Sequence, residues 1–217
     1  MLENTPNPHL KLLSVPINDY LLSISSQHFK DKKINILDIG GRYKQLSFAN
    51  IASYDVLDIE NRHNHNVIVG DITDPNLQIN KSYDLIFSKN VFEHILNPWD
   101  ATANILKLLK NNGLYMMVAP FSWRYHACPY DSYRYTHVGA QYLFERLGGM
   151  KLHSSGYYYL PDNELGRGKG HYKNKKDATL DGEIYRNNIQ VFYIGVRDEE
   201  KIFDINNLNS DFSYGEK

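Results

Sequence analysis

The chain has 217 residues, 42% of them hydrophobic and 23% charged, with 24 basic against 25 acidic side chains and a formal charge of −1. That is enough chain to bury one sizeable core, and a balance that gives no general attraction for nucleic acid. A lone cysteine, Cys128, excludes an internal disulfide and a thiolate-built zinc site, so a reducing cytoplasm is expected and no metal is.

The start, MLENTPNPHLKLLSVP, lacks the basic and then apolar character of a signal peptide, and no apolar run is long enough to span a membrane. Residues 1–33 form an N-terminal segment in which Ile17, Tyr20, Leu21, Ile24 and Phe29 recur at helical intervals. Four short apolar segments follow at 34–39, 53–57, 66–69 and 83–88, and each ends near a polar or acidic residue. Asn97 then suits a helix N-cap, Pro98 the first helical position and Asn111-Asn112-Gly113 a stop, with Ala103, Leu106 and Leu109 as one face.

LYMMVAP at 114–120 is apolar on both faces, as a buried parallel strand is. A second helix is predicted from the cap Thr136 to Gly148-Gly149, with Leu143, Phe144 and Leu147 toward the core. Residues 151–160 and 189–197 read as an antiparallel closing pair around a polar excursion at 161–187, and 201–217 as a loose tail. The main domain is therefore 34–200, an open α/β sheet, mostly parallel, with ligands expected at the strands' carboxyl ends.

Those ends carry polar groups in order. Asp38, Gly40 and Gly41 follow the first strand, Asp58 the second, Asp71 the third and Ser88-Lys89-Asn90 the fourth. Glycine lets backbone approach a ligand closely, and Asp58 stands eighteen positions beyond Gly40, near the spacing of about 20 at which an acid meets ribose hydroxyls. Either feature alone marks a plain turn as readily as a nucleotide.

Taken together, ILDIGG at 36–41, VLDI at 56–59, VGDITD at 69–74, YDLIFSKNVFEHILNPWDATANILKLLKNNG at 83–113 and LYMMVAP at 114–120 resemble class I S-adenosylmethionine-dependent methyltransferases. The resemblance covers roughly residues 33–197. It implies a Rossmann-like, seven-stranded, mostly parallel sheet with one antiparallel strand, and S-adenosylmethionine as cofactor. It sets Gly40 and Gly41 beneath the methionine part, with Asp38 toward its amino end. Asp58 with Ile59 would meet the ribose, Asp71 with Ile72 the adenine, and Ser88 and Asn90 would complete the cofactor rim. Arg42 departs from the family's second glycine, and its guanidinium suits the cofactor carboxylate or a substrate anion.

Chemistry on the acceptor is expected from 121–139, FSWRYHACPYDSYRYTHVG. Its His126-x-x-Pro129-x-Asp131-x-x-Arg134-Tyr135-Thr136 pattern resembles a subset of these methyltransferases associated with surface polysaccharide and capsule pathways. His126 is read as general base or as a residue that fixes the loop; Asp131 orients it, binds sugar hydroxyls or closes a turn. His94 is a second base or a pocket-lining histidine. Arg134 anchors phosphate or pairs with Asp131, and Tyr125, Tyr130, Tyr133 and Tyr135 cover a sugar face or serve packing. Cys128 is a bystander. Arg167, Lys169, Lys173, Lys175 and Lys176 form either a lid for a phosphorylated substrate or a solvated loop.

The expected function is O-methylation of a small-molecule or glycan-precursor acceptor, in a protein with no nucleic-acid partner, no membrane span and an open oligomeric state. Two rivals are a cofactor-binding module without catalysis and a nicotinamide-dependent sugar oxidoreductase. Tyr172 and Lys176 have the spacing of the latter but lie in the polar excursion.

Overall fold

The structure is a computed structural model that describes residues 10–13, 15–41, 46–61, 67–123, 125–127, 129–159, 179–180, 183–184 and 189–204. In chain order come β1 (Leu10–Leu13), α1 (Ile17–Phe29), β2 (Ile34–Ile39), β3 (Ile51–Asp58), β4 (Val67–Val69), β5 (Tyr83–Lys89), α2 (Pro98–Leu108) and β6 (Leu109–Ser122). Then follow α3 (His137–Glu145), β7 (Met150–Tyr159), the mutually paired β8 (Thr179–Leu180) and β9 (Glu183–Ile184), and β10 (Ile189–Arg197).

The main sheet has the order β1-β7-β10-β6-β5-β2-β3-β4. Only β10 is antiparallel to its neighbours, β6 and β7, so the seven expected strands form the expected sheet. An eighth strand was not predicted: β1 adds to the edge, parallel to β7, from Leu10 opposite Ser155 to Leu13 opposite Tyr158. Four residues are too short a run for periodicity to declare them.

Central strands are buried on both faces because each face has its own apolar cover. Leu37, Ile39, Ile86, Tyr115 and Met117 pack with Ala101, Ile105 and Leu108 of α2 and with Ala140, Leu143 and Phe144 of α3. Ile36, Leu85, Phe87, Met116 and Val118 pack with Ile17, Leu21, Ile24 and Phe29 of α1, joined by Leu46 and Phe48. Residues 46–50, between β2 and β3, are irregular backbone. Leu46 and Phe48 supply that cover from irregular backbone, Phe48 meeting Phe87 edge-on with centroids 5.6 Å apart.

The α2 cap is as read: Asn97 Oδ1 accepts from the Asp100 N–H, and Pro98 opens the helix. Its buried face is Ala101, Asn104, Ile105 and Leu108, one position out of phase with the sequence reading. The helix stops at Leu108 and Leu109 begins β6, whose register jumps from Tyr83 opposite Leu109 to Leu85 opposite Leu114, so Lys110–Gly113 bulge within a strand. In α3, Thr136 Oγ1 accepts from Gly139 N–H at 3.0 Å, and Gly148 and Gly149 follow its end at φ +75° and +77°. Leu147 lies past that end and is exposed, not in the core.

At the sheet's amino edge, buried Asp84 receives Lys32 Nζ at 2.7 Å, Lys110 Nζ at 2.9 Å and the Asn35 N–H at 2.9 Å. Burial raises its pKa, yet these three donors outweigh it and hold the carboxyl below its usual range. No helix among the described residues is long and apolar enough to cross a membrane.

Candidate active site

Strand order reverses between β2 and β5, and the carboxyl ends of β2, β3 and β4 lie side by side. Gly40 N–H donates to Leu57 O at 2.8 Å, and Gly70 N–H to Asp58 O at 3.0 Å. The chain therefore leaves the sheet at Gly40, Asp58 and Gly70 on three adjacent strands, a span of two strand spacings or about 10 Å.

The two glycines are required by different neighbours. Gly40 takes φ +68°, and a Cβ there would stand 2.7 Å from Val91 Cγ2. At Gly41 a Cβ would stand 2.1 Å from Asp38 Oδ2, so the loop folds down onto a carboxylate. Asp38 is 1% exposed; its Oδ2 accepts from the Tyr54 hydroxyl at 2.7 Å and its Oδ1 has no hydrogen-bond partner. Burial pushes this carboxyl up to about 7, against the Tyr54 hydrogen bond and with the repulsion of Asp58. An orphaned anionic oxygen beneath a loop that admits no side chain fits a bound ammonium group.

The remaining rim residues divide. Asp58 Oδ1 accepts from Glu60 N–H, and Ile59 is exposed. Asp71 Oδ1 takes both the N–H and the hydroxyl of Thr73 at 2.8 Å, closing its own turn. Ile72 turns its side chain into the core, and its carbonyl accepts from Asn104 Nδ2 at 2.8 Å. Asn104 also donates to Asp74 O, so α2 pins the 71–74 turn. Asn90 adopts φ 56° and its Oδ1 accepts from Gln190 Nε2 at 2.9 Å. Ser88, opposite Ile39 at the end of β5, turns its hydroxyl inward, buried on the Tyr115 hydroxyl at 2.8 Å. Arg42 lies outside the described residues, as do Cys128 and the basic stretch 165–176.

Beyond Val91 the chain makes one tight turn, Phe92–His94, onto which the 125–135 loop is knitted. Ser132 N–H donates to Glu93 O at 2.7 Å, Tyr133 Oη to Leu96 O at 3.1 Å and Tyr135 Oη to Phe92 O at 3.2 Å. Tyr135 is thus buried structure, not a substrate contact; burial raises its hydroxyl well above the ordinary range. Tyr133 stacks on it with centroids 5.7 Å apart, whereas Tyr125 and Tyr130 stay exposed.

Arg134 sets two nitrogens on Asp131, at 2.5 and 2.7 Å, and also donates to the carbonyls of Tyr133 and Trp123. Its fork is occupied by the loop itself, which is the structural alternative for this residue, and that hydrogen bond holds Asp131 down at about 2. Asp131 Oδ2 accepts from the His126 N–H at 2.7 Å and lies 3.2 Å from His126 Nδ1. The His94 ring stands edge-on to His126 with centroids 5.0 Å apart, its Nδ1 2.5 Å from Tyr130 O. Burial lowers the His94 pKa.

Between the two histidines is a residue given no role from sequence. Glu93 is fully buried with neither carboxylate oxygen hydrogen-bonded to another residue, and burial pushes it up to about 8 against the pull of its own N–H and of Arg134. Its signal was an acid between Phe92 and His94, flanked by residues that belong inside. Tyr54 gave less warning, since only strand register brings it to Asp38.

Residues 45–117 match the family described as "Methyltransferase domain". No curated protein matches the sequence. Among solved structures, an S-adenosylmethionine-dependent methyltransferase from Clostridium acetobutylicum ATCC 824 shares 10% identity over 83% of this chain and 90% of its own, with TM-score 0.54. N-methyltransferase NodS from Bradyrhizobium japonicum WM9, in complex with S-adenosyl-L-homocysteine, shares 13% over 85% and 89%, with TM-score 0.51. The 4+2 cyclase SpnF shares 14% over 83% and 80%, with TM-score 0.54. The matched segment, about a third of the chain, carries a methyltransferase domain, and the strand order carries the fold of the class I S-adenosylmethionine-dependent methyltransferases.

Proposed function

We propose that the protein methylates a hydroxyl of a small polar acceptor, a sugar, nucleotide-sugar or phosphate-bearing precursor of surface polysaccharide. S-adenosylmethionine, when bound, supplies a methyl group on a sulfonium and leaves as S-adenosylhomocysteine. The chain's own tasks are to hold donor and acceptor in line, keep water out and take the hydroxyl proton. Asp38 would receive the donor's ammonium over Gly40 and Gly41, Asp58 its ribose hydroxyls and the Asp71 turn its base.

The observation that carries hydroxyl chemistry is His126 Nδ1 at 3.2 Å from Asp131 Oδ2. A carboxylate held ionised by Arg134 fixes the imidazole with its proton on Nδ1, which leaves Nε2 as proton acceptor. The Phe92–His94 turn brings this group beside the cofactor loop, because Val91 packs on Gly40. Exposed Tyr125 and Tyr130 suit an acceptor sugar face, and the resemblance of the 126–136 segment to that of surface-polysaccharide-associated methyltransferases favours a glycan acceptor. The lone cysteine suits a reducing cytoplasm.

Incubation with radiolabelled methyl donor and a panel of nucleotide-sugars, phosphosugars and matching amines tests this reading. Label is expected on hydroxyl acceptors and to fall at least about 100-fold in His126→Gln. Transfer to amines alone would overturn it.

A further inference from the structure

Three groups, two in the turn after β5 and one in the loop after β6, share a property that a proton relay does not need. Glu93 Oε1 lies 3.6 Å from His94 Nε2 and 3.9 Å from His126 Nε2, and one donor atom from each residue lies within 4.8 Å of the others. Each ring faces an oxygen through Nδ1, His94 toward the Tyr130 carbonyl and His126 toward the Asp131 carboxylate. A carbonyl and a carboxylate only accept, so both neutral rings keep their proton on Nδ1 and present the Nε2 lone pair to Glu93. Glu93 is itself fully buried and receives no hydrogen bond from another residue on either oxygen.

Three ligand-type side chains thus converge on one point, where a cation would be shared by all of them and would displace any proton held there. We propose that Glu93, His94 and His126 bind one divalent transition-metal ion, with its remaining positions open. Metal–ligand bonds of about 2.0–2.2 Å put neighbouring donor atoms roughly 3–4 Å apart, so the ring positions are already near those required. His126, its side chain 32% exposed, has room to complete the adjustment.

Two imidazoles and a carboxylate select zinc, manganese, iron(II) or cobalt over magnesium and calcium, which prefer all-oxygen sites. The Tyr130 carbonyl and Asp131 orient the ligand rings from behind, as outer-shell partners of metal-bound histidines do. Arg134, in turn, anchors Asp131 through two nitrogens. The expectation of a metal-free protein considered thiolates; this donor set has none.

The site itself stands on geometry alone, while its role rests on the hydroxyl-methylation reading. With an ion in place, the His126 Nε2 that otherwise accepts the hydroxyl proton would be engaged by the ion, which would itself lower the pKa of a bound acceptor hydroxyl so that its proton passes to solvent.

The test is titration of chelator-treated, tag-free full chain with Co2+ by visible absorption and with Zn2+ by calorimetry. One ion per chain is expected, lost or weakened at least about 100-fold in Glu93→Gln and in His126→Gln. Asp131→Asn should weaken it roughly 10–100-fold. Far-UV circular dichroism and S-adenosylhomocysteine binding verify that each variant is folded. Absence of a d–d band and of heat, or unchanged binding in folded Glu93→Gln and His126→Gln, overturns the site. Ion binding without methylation of any hydroxyl sustains the site and sinks the reaction; hydroxyl methylation by a protein that binds no ion does the reverse.

Discussion

Lowering the pH from 8 to 6 should weaken S-adenosylhomocysteine binding about tenfold through one group, Asp38. Burial pushes its carboxyl up to about 7, and the bound ammonium of the ligand requires it ionised. Apparent affinity then scales with the ionised fraction, roughly nine-tenths at pH 8 and one-tenth at pH 6, a tenfold loss or about 1.4 kcal/mol. Calorimetry at pH 6, 7 and 8 reads this directly, and below pH 7 binding should release close to one proton.

Glu93, pushed up to about 8, titrates in the same window, so two controls isolate Asp38. Asp38→Asn should bind weakly with no pH dependence across this range, and 5′-methylthioadenosine, which lacks the ammonium, should bind equally at pH 6 and 8. Without ligand the sign reverses. The folded state holds the Asp38 proton longer than the unfolded chain does, so stability falls as pH rises from about 4 to about 7. An affinity that stays flat from pH 6 to 8, or a slope that persists in Asp38→Asn, would refute the placement of the ammonium at Asp38.

Tyr54→Phe removes the hydrogen bond that favours ionised Asp38, and should move the midpoint of that affinity profile to higher pH by the same calorimetric series. Gly41→Ala would put a methyl group 2.1 Å from Asp38 Oδ2; ligand affinity should fall at least about tenfold and stability by about 1–3 kcal/mol in urea melts. Asp84→Asn should cost about 1–3 kcal/mol at pH 7 and progressively less as the pH falls below about 4, because the wild-type carboxyl then takes up its proton and loses its advantage. Thr136→Ala removes the α3 cap and should lower stability by about 1 kcal/mol.

The central sheet was legible because its strands are buried on both faces, which writes uninterrupted apolar runs such as LYMMVAP into the chain. Caps were legible for a local reason: Asn97 and Thr136 satisfy donors only three residues away. What failed depended on where one element hands over to the next. Leu109 looked like the last helical leucine and is the first residue of β6, which shifts the whole buried face of α2 by one. The four tyrosines of the 125–135 loop could not be sorted, since whether each is wall or core depends on carbonyls of a turn more than thirty residues earlier.

The rim's two buried acids belong to this second kind of information. Asp38 has one oxygen without a partner and Glu93 has two, and each unpaired buried carboxylate costs the fold free energy that a hydrophobic residue would not. A sequence pattern cannot show this, because it records the acid but not the absence of a donor. Protonation relieves part of that cost and an arriving cation would relieve the rest, a different one for each acid: an ammonium above the glycine loop at Asp38, a metal ion among Glu93, His94 and His126. Each arrival binds only the folded chain and so stabilises it in proportion to ligand concentration. If the two sites are separate, as Val91 between them implies, the rises in melting temperature from S-adenosylhomocysteine and from the ion should add. A rise from one that abolishes the other would mean that both acids serve a single bound group.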